Sequence, residues 1–322
     1  MARQQIKIPL PPIRDDDSGY NYLSKLADFI FEGPENFYTF DFSRCSTISH
    51  NGLVVIGGLC DFLKQHETSS SMLKGFGLRS FFSKKKVGFN IDSINPRLME
   101  KLRALGFWNF VNPDHGFLGS TDYIGYREHN TVLEDSIIIS HLQDNWLTDE
   151  KLSISELLKS EIVSSIYEIF VNAYGHGLKE NTNNQSVISC GHYDPKEKRL
   201  SLSVLDFGGG IVNSVQRHVA IPHKEDAFNW ALEVGNSTRT DSAPDIPRGL
   251  GFGILQEFIS LNRGVLRICS DSYMATVDDS GSYVTTKVDG CFLGTLVSIT
   301  VNCDNKHYRL MSEAQEKLPN YF

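Results

Sequence analysis

A chain of 322 residues, 40% hydrophobic and 22% charged, is long enough for two ordinary domains with sizeable cores and too apolar to stay disordered. Its formal net charge of -8 at pH 7 argues against a nucleic-acid partner, because affinity for a phosphate polymer comes largely from Lys and Arg displacing counterions. Residues 1–20 hold Pro11, Pro12 and the acidic run Asp15 to Asp17 without the apolar stretch of a secretory signal, and they read as a tail. The six cysteines, at 45, 60, 190, 269, 291 and 303, show no C-x-x-C spacing and no histidine pairing of the zinc kind, so reduced thiols in a reducing compartment are expected. No segment approaches the ~20 apolar residues of a membrane span, and a cytoplasmic protein without membrane association is the expectation.

Tyr20 to Phe31 has the pattern of a short helix stopped at Gly33-Pro34, and FYTFDFS at 37–43 that of a strand. A helix is expected at 50–65, where Leu53, Ile56, Leu59, Phe62 and Leu63 recur at helical spacing. The serines at 69–71 suggest a loop, with the run Lys84-Lys85-Lys86 as a solvated stretch near its end. VGFNID at 87–92 reads as a strand, and Pro96 to Phe110 as a helix ending at Gly106 with Leu98, Leu102 and Leu105 on one face. Strand and helix thus alternate over 21–111, which reads as a first α/β domain, and residues 112–150 read as a connection with some strand content.

From Ser153 to Gly177 runs the clearest amphipathic helix, with Leu158, Ile162, Ile166, Ile169, Phe170 and Ala173 as its apolar stripe. Glu161, Glu168, Asn172 and His176 lie on a different face, the last three stacked four apart. An Asn and a Glu held this way divide labour: the amide oxygen ligates a hard cation, and the carboxylate orients or deprotonates a water. Such spacing also makes an ordinary solvated helix face, so alone it decides nothing.

A hairpin follows, from VISCGHY at 187–193 through a polar turn at 194–198 to LSLSVL at 200–205, and it ends on Asp206 before Phe207, Gly208, Gly209 and Gly210. A carboxylate at a buried strand end accepts the hydrogen bond of an exocyclic amine, and glycines beside it let a flat ring approach. Arg248-Gly249-Leu250-Gly251-Phe252-Gly253 then leads into an apolar helix at 254–262. Successive N–H groups at such a helix start can face a phosphate. The loop is neither a dinucleotide fingerprint nor a lysine-bearing NTPase loop. Last, Gly294-Thr295 opens the strand LVSITV at 296–301, where the hydroxyl can reach a base directly or through water.

In this order the four segments resemble the GHKL family, the ATPase group of gyrase, the heat-shock chaperones, MutL and the histidine kinases. The match is E-x-x-x-N at Glu168 to Asn172, D-x-G-x-G at Asp206 to Gly210, G-x-G-x-G at Gly249 to Gly253, and Gly294-Thr295, over about half of the chain. Asn172 to Gly177 and Arg248 to Gly253 look most like the anti-sigma-factor serine kinases, whose usual partners are STAS-domain proteins. The stretch from Phe37 to Phe110, with Phe40-Asp41-Phe42-Ser43 and then Thr47 to Leu53, is similar to a STAS fold itself. In phosphorylated members of that group a Ser precedes the Gly-Leu pair; here Asn51 stands there, preceded by His50, with Ser49 nearby.

The resemblance implies an α/β protein: a two-layer GHKL (Bergerat) sandwich at 151–304 and a smaller STAS-like domain at 21–111, with a tail at 305–322. ATP would bind with Mg²⁺ on Asn172 and a water positioned by Glu168. Asp206 and Thr295 would read adenine. His176, Gly208, Gly210 and Arg248, Gly249, Leu250, Gly251, Phe252 and Gly253 would complete the site, under a polar lid at 211–248. Arg239 and Arg248 are candidates for the γ-phosphate. The expected function is ATP hydrolysis that switches a protein partner or a homodimer. Kinase transfer to a Ser or His of a partner, and an ATP-gated module without turnover, are the alternatives.

Overall fold

The structure, a computed structural model, describes residues 4–68, 86–111, 124–129, 132–178, 186–233, 235–236 and 251–315. Its first element corrects the reading of residues 1–20 as a tail. QIKIP forms strand β1 (Gln5–Pro9), which pairs in parallel with β2 (Phe37–Asp41). Between them lies α1 (Asp17–Glu32), started by Asp16, whose side chain accepts the Gly19 N–H. α2 (His50–Thr68) then crosses to β3 (Val87–Asn90), which pairs in parallel with the other edge of β2. Lys86, expected in solvent, is buried with its ammonium donating to the Pro34 carbonyl at 2.9 Å; Lys84 and Lys85 lie outside the described residues. α3 (Pro96–Ala104) begins at Asn95, which accepts the Leu98 N–H, and Gly106 at φ 69° separates it from α4 (Phe107–Val111).

The stretch at 112–150 is more than a connection. It supplies β4 (Tyr126–Glu128), α5 (Asp135–Ser140) and a π-helical turn over His141–Trp146. Next come α6 (Glu156–Asn172), capped by Ser155, and the antiparallel pair β5 (Ile188–Asp194) and β6 (Arg199–Asp206). α7 (Gly210–His218), α8 (Lys224–Leu232) and α9 (Gly251–Asn262) precede two long strands, β7 (Val265–Val277) and β8 (Tyr283–Asn302). The larger sheet has the order β4-β5-β6-β8-β7 and is antiparallel throughout. The expected C-terminal tail is in part structured: Tyr308 bridges Ile154, and Glu313 of α10 (Met311–Gln315) accepts from the Ser155 hydroxyl at 2.6 Å.

Both faces of the larger sheet are covered. Leu200, Leu202, Val204, Val297, Ile299 and Val301 point into one core with α6 to α9. The alternate residues point into a second core, where Leu205, Phe207 and Leu296 meet α1, α2 and the small parallel sheet. The architecture is therefore mixed α/β in stacked layers: small sheet, α1 with α2, large sheet, α6 to α9. Over 151–304 alone the expected helix-on-sheet pair is visible, but α1 and α2 occupy the sheet's other face and the two units share one core. This explains α2, in which every residue from 50 to 60 is buried; a helix apolar all round must lie between two layers.

The second core is polar at its centre. Ser201 and Ser203 of β6 stand opposite Thr300 and Ser298 of β8, hydroxyl to hydroxyl at 2.9 and 2.6 Å. The His50 Nδ1 lies 2.7 Å from the Ser203 Oγ, and its Nε2 faces Asp15 at 3.6 Å. The Asp15 carboxylate accepts from the Tyr20 hydroxyl at 3.0 Å, the Thr300 hydroxyl at 3.3 Å and the Arg267 guanidinium at 3.4 Å. Burial alone would raise the Asp15 carboxyl, but His50, Arg267 and Tyr20 together bring it well below the usual carboxylate range. Among the described residues no helix is long and apolar enough to cross a membrane.

Candidate functional site

α6 and α9 pack against each other along the first core, and contacts at their far ends fix where their near ends lie. The start of α6 is held at Tyr308, and the end of α9 at Asn302, whose N–H donates to Asn262 at 2.7 Å. Asn302 pairs with Arg199 at the beginning of β6, whereas Thr295 pairs with Asp206 at its end. A helix rises about 1.5 Å per residue. The last residue of α6, Asn172, and the first of α9, Gly251, therefore reach toward the same sheet end as Asp206 and Thr295.

Asp206 shares the face of Val204, directly across the ladder from Thr295. It is buried, and its carboxylate accepts the Gly208 N–H at 2.9 Å. Burial pushes its pKa up to about 7, although the Gly208 N–H and the Thr295 hydroxyl both act to lower it. Few donors serve this charge, and a ligand N–H would stabilise it. The glycines beside it have defined jobs. Gly294 sits at φ 92°, and a Cβ there would lie 2.0 Å from the Asp206 carbonyl oxygen. Gly210 sits at φ 72° and opens α7. The Ser270 hydroxyl ties the two together, accepting the Ile211 N–H at 3.0 Å and donating to the Gly294 carbonyl at 2.6 Å.

Glu168 and Asn172 are exposed, one turn apart, away from the buried stripe Leu158, Ile162, Ile166, Ile169, Phe170 and Ala173. α6 continues as a π-helical turn over Ala173–Leu178 that packs against β6 and α7, bringing the helix end to the strand of Asp206. The His176 side chain lies outside the described residues, as do Arg239, Arg248, Gly249 and Leu250. Phe252 packs on the first core and Gly253 is half-buried.

The lid expected at 211–248 is corrected over its first part. α7 and α8 are regular helices whose Val212, Val215, Ala227 and Phe228 are buried in the first core, so apolar anchoring outweighs the polar content read from the sequence. A cleft of about 200 Å³ opens beside the loop, lined by Gly209, Gly210, Asn213, Ser270, Asp271 and Gly294 among others. Its lining includes none of Asp206, Asn172 and Thr295.

Sequence reasoning missed Ser270, which sits where the β7–β8 register shifts and so follows no alternation. It also missed two histidines on the side of α6, His129 half-buried and His141 buried. His129 places its Nε2 2.8 Å from the Ser189 Oγ and its ring against Phe170, and burial pushes its pKa down to about 4, with Arg127 adding to the shift. In the π turn at 141–146, His141 is buried with neither ring nitrogen hydrogen-bonded, and burial, then Arg127, His129 and Lys151, push it down to about 3. No protein-family model and no curated protein matches this chain.

Proposed function

We propose that the protein is a Mg-ATP-binding ATPase of the GHKL type that works as a nucleotide-dependent switch on a protein partner or a second copy of itself. The observation that carries this reading is the pairing of buried Asp206 with Thr295 at the sheet end toward which Asn172 and the start of α9 both reach. Asp206 would accept the adenine amine, with Thr295 beside it. The N-terminus of α9 would face the phosphates. Mg²⁺ keeps several waters and takes one or two protein ligands besides substrate phosphates, so the exposed Asn172 amide is a sufficient donor. When bound, the ion would neutralise phosphate charge. Glu168, one turn earlier and exposed, would hold the attacking water, since phosphoryl transfer depends mostly on positioning and electrostatics. All six cysteines are unpaired, in keeping with a cytoplasmic setting.

Asn172→Ala is expected to abolish magnesium-dependent ATP binding in calorimetry, and unchanged affinity would remove the site assignment. Glu168→Ala should bind ATP as before and lose phosphate release. If the wild type binds without releasing phosphate, the ATP-gated module is the better reading. Kinase activity is the runner-up because a carboxylate on the exposed face of α6, Glu168, can orient a hydroxyl as well as a water. Such transfer would have to be to a partner: His50 and Asn51 are buried on the sheet face opposite this site, with the Asn51 amide donating to the Arg14 carbonyl. Radiolabel on a partner rather than in free phosphate would select it.

A further inference from the structure

α2 carries two adjacent glycines, Gly57 and Gly58, in the middle of a buried helix, where glycine is a poor helix former. Their use is close approach. A Cβ on Gly57 would lie 2.1 Å from the Tyr126 hydroxyl oxygen, and one on Gly58 would lie 2.6 Å from the Phe207 Cε2 and 2.7 Å from the Leu205 Cδ2. Phe207 is the residue between Asp206 and Gly208, whose N–H holds the Asp206 carboxylate. Its ring meets the edge of Phe31 at 5.0 Å and packs on Phe292 at 5.5 Å between centroids. Behind it, a Cβ on Gly294 would come within 2.6 Å of the Phe207 Cα. The peptide run that carries the Asp206 carboxylate is thus clamped between α2 and β8, and the ring has no slack in which to shift alone.

We infer that the N-terminal unit positions the nucleotide site: the Gly58 notch of α2 seats Phe207 and thereby aims the Asp206 carboxylate. This rests on the reading of Asp206 as the acceptor of the adenine amine. Phe207 faces the second core and is a positioning residue, acting through its neighbour. The proposed phosphate-binding parts, the end of α6 and the start of α9, belong to the opposite layer, where Ile169, Phe170, Phe252 and Ile254 pack in the first core. Displacement of α2, by substitution or by a partner docking on the N-terminal unit, therefore alters recognition of the base and spares the phosphates.

The test is calorimetric titration of the full chain with Mg-ATP and with Mg-ITP, whose base lacks the exocyclic amine. Gly58→Ala puts a methyl into the notch while improving helix propensity, so circular-dichroism melting should show a folded protein. Its ATP affinity is expected to fall about tenfold, with ITP affinity unchanged. Adding Phe207→Leu to Gly58→Ala should restore ATP affinity to within about twofold, because the smaller side chain frees the notch. The inference is overturned by equal ATP affinity in wild type and Gly58→Ala, by a loss that extends equally to ITP, or by a double variant that does not recover. A wild type without affinity for Mg-ATP would overturn the functional reading, and this inference with it.

Discussion

Two aspartates, one on each side of the large sheet, show how differently its faces use a buried charge. Asp15, on the side of α1 and α2, meets Tyr20, Thr300, Arg267 and His50, and its carboxyl is held well below the usual range. Asp206, on the side of α6 to α9, has the Gly208 N–H and the Thr295 hydroxyl, and burial pushes its pKa up to about 7. Both carboxyls are largely removed from water. One is compensated in full by protein donors, so it fastens layers together. The other is under-compensated, which is a cost to the fold and an opening for a ligand.

The largest effect that would sharpen this contrast is on the compensated side. Asp15→Ala leaves Arg267, His50 and Tyr20 without their common acceptor and should cost about 3 kcal/mol of unfolding free energy in a urea titration; a loss under 1 kcal/mol would break the comparison. Asp206→Asn should instead lower ATP affinity by about 2 kcal/mol, roughly thirtyfold, without lowering stability. The sign follows from linkage. A carboxyl whose pKa is raised on folding contributes its stability in full below its ordinary value of 3.8 and loses it as pH rises to about 7. The variant should therefore gain on the wild type across that interval and hold a constant lead above it.

His129 and His141 titrate the other way. Their folded pKa values lie below the ordinary 6.5, so the neutral form is favoured, and for His141 stability is complete above pH 6.5 and lost as pH falls toward about 3. His141→Phe should remove up to about 1.4 kcal/mol per pH unit of acid sensitivity in that window, read from urea midpoints at pH 6.5 and 5.5. Identical pH slopes in variant and wild type would show that His141 is solvated or paired. The smallest effect is expected for Ser270→Ala, which removes the bridge from Ile211 to Gly294 at about 1 kcal/mol and should lower the melting temperature by a few degrees.

Local chemistry was readable wherever it is self-contained. The stripe of α6, the turn at 194–198 and the strand end at Asp206 all depend on neighbours within a few residues, and the expected elements form there. β1 was not readable, because five residues beside prolines and acids become a strand only through Phe37–Asp41. α7 and α8 were hidden for a similar reason: their few apolar residues count only once α7 meets β7, β8 and α8.

From the sequence alone came the alternation of LSLSVL and LVSITV, which says that β6 and β8 have one apolar and one hydroxyl-bearing face, and the glycines that mark Asp206 and Thr295 as special. A period of two assigns residues to faces but carries no information about what covers each face. That was decided by the tertiary structure, which brings Asp15 and His50 from the distant N-terminal segment onto Ser203 and Thr300. It also decided the opposite behaviour of the two aspartates, because a pKa depends on the donors that folding gathers around a buried charge and not on the residues beside it in the chain.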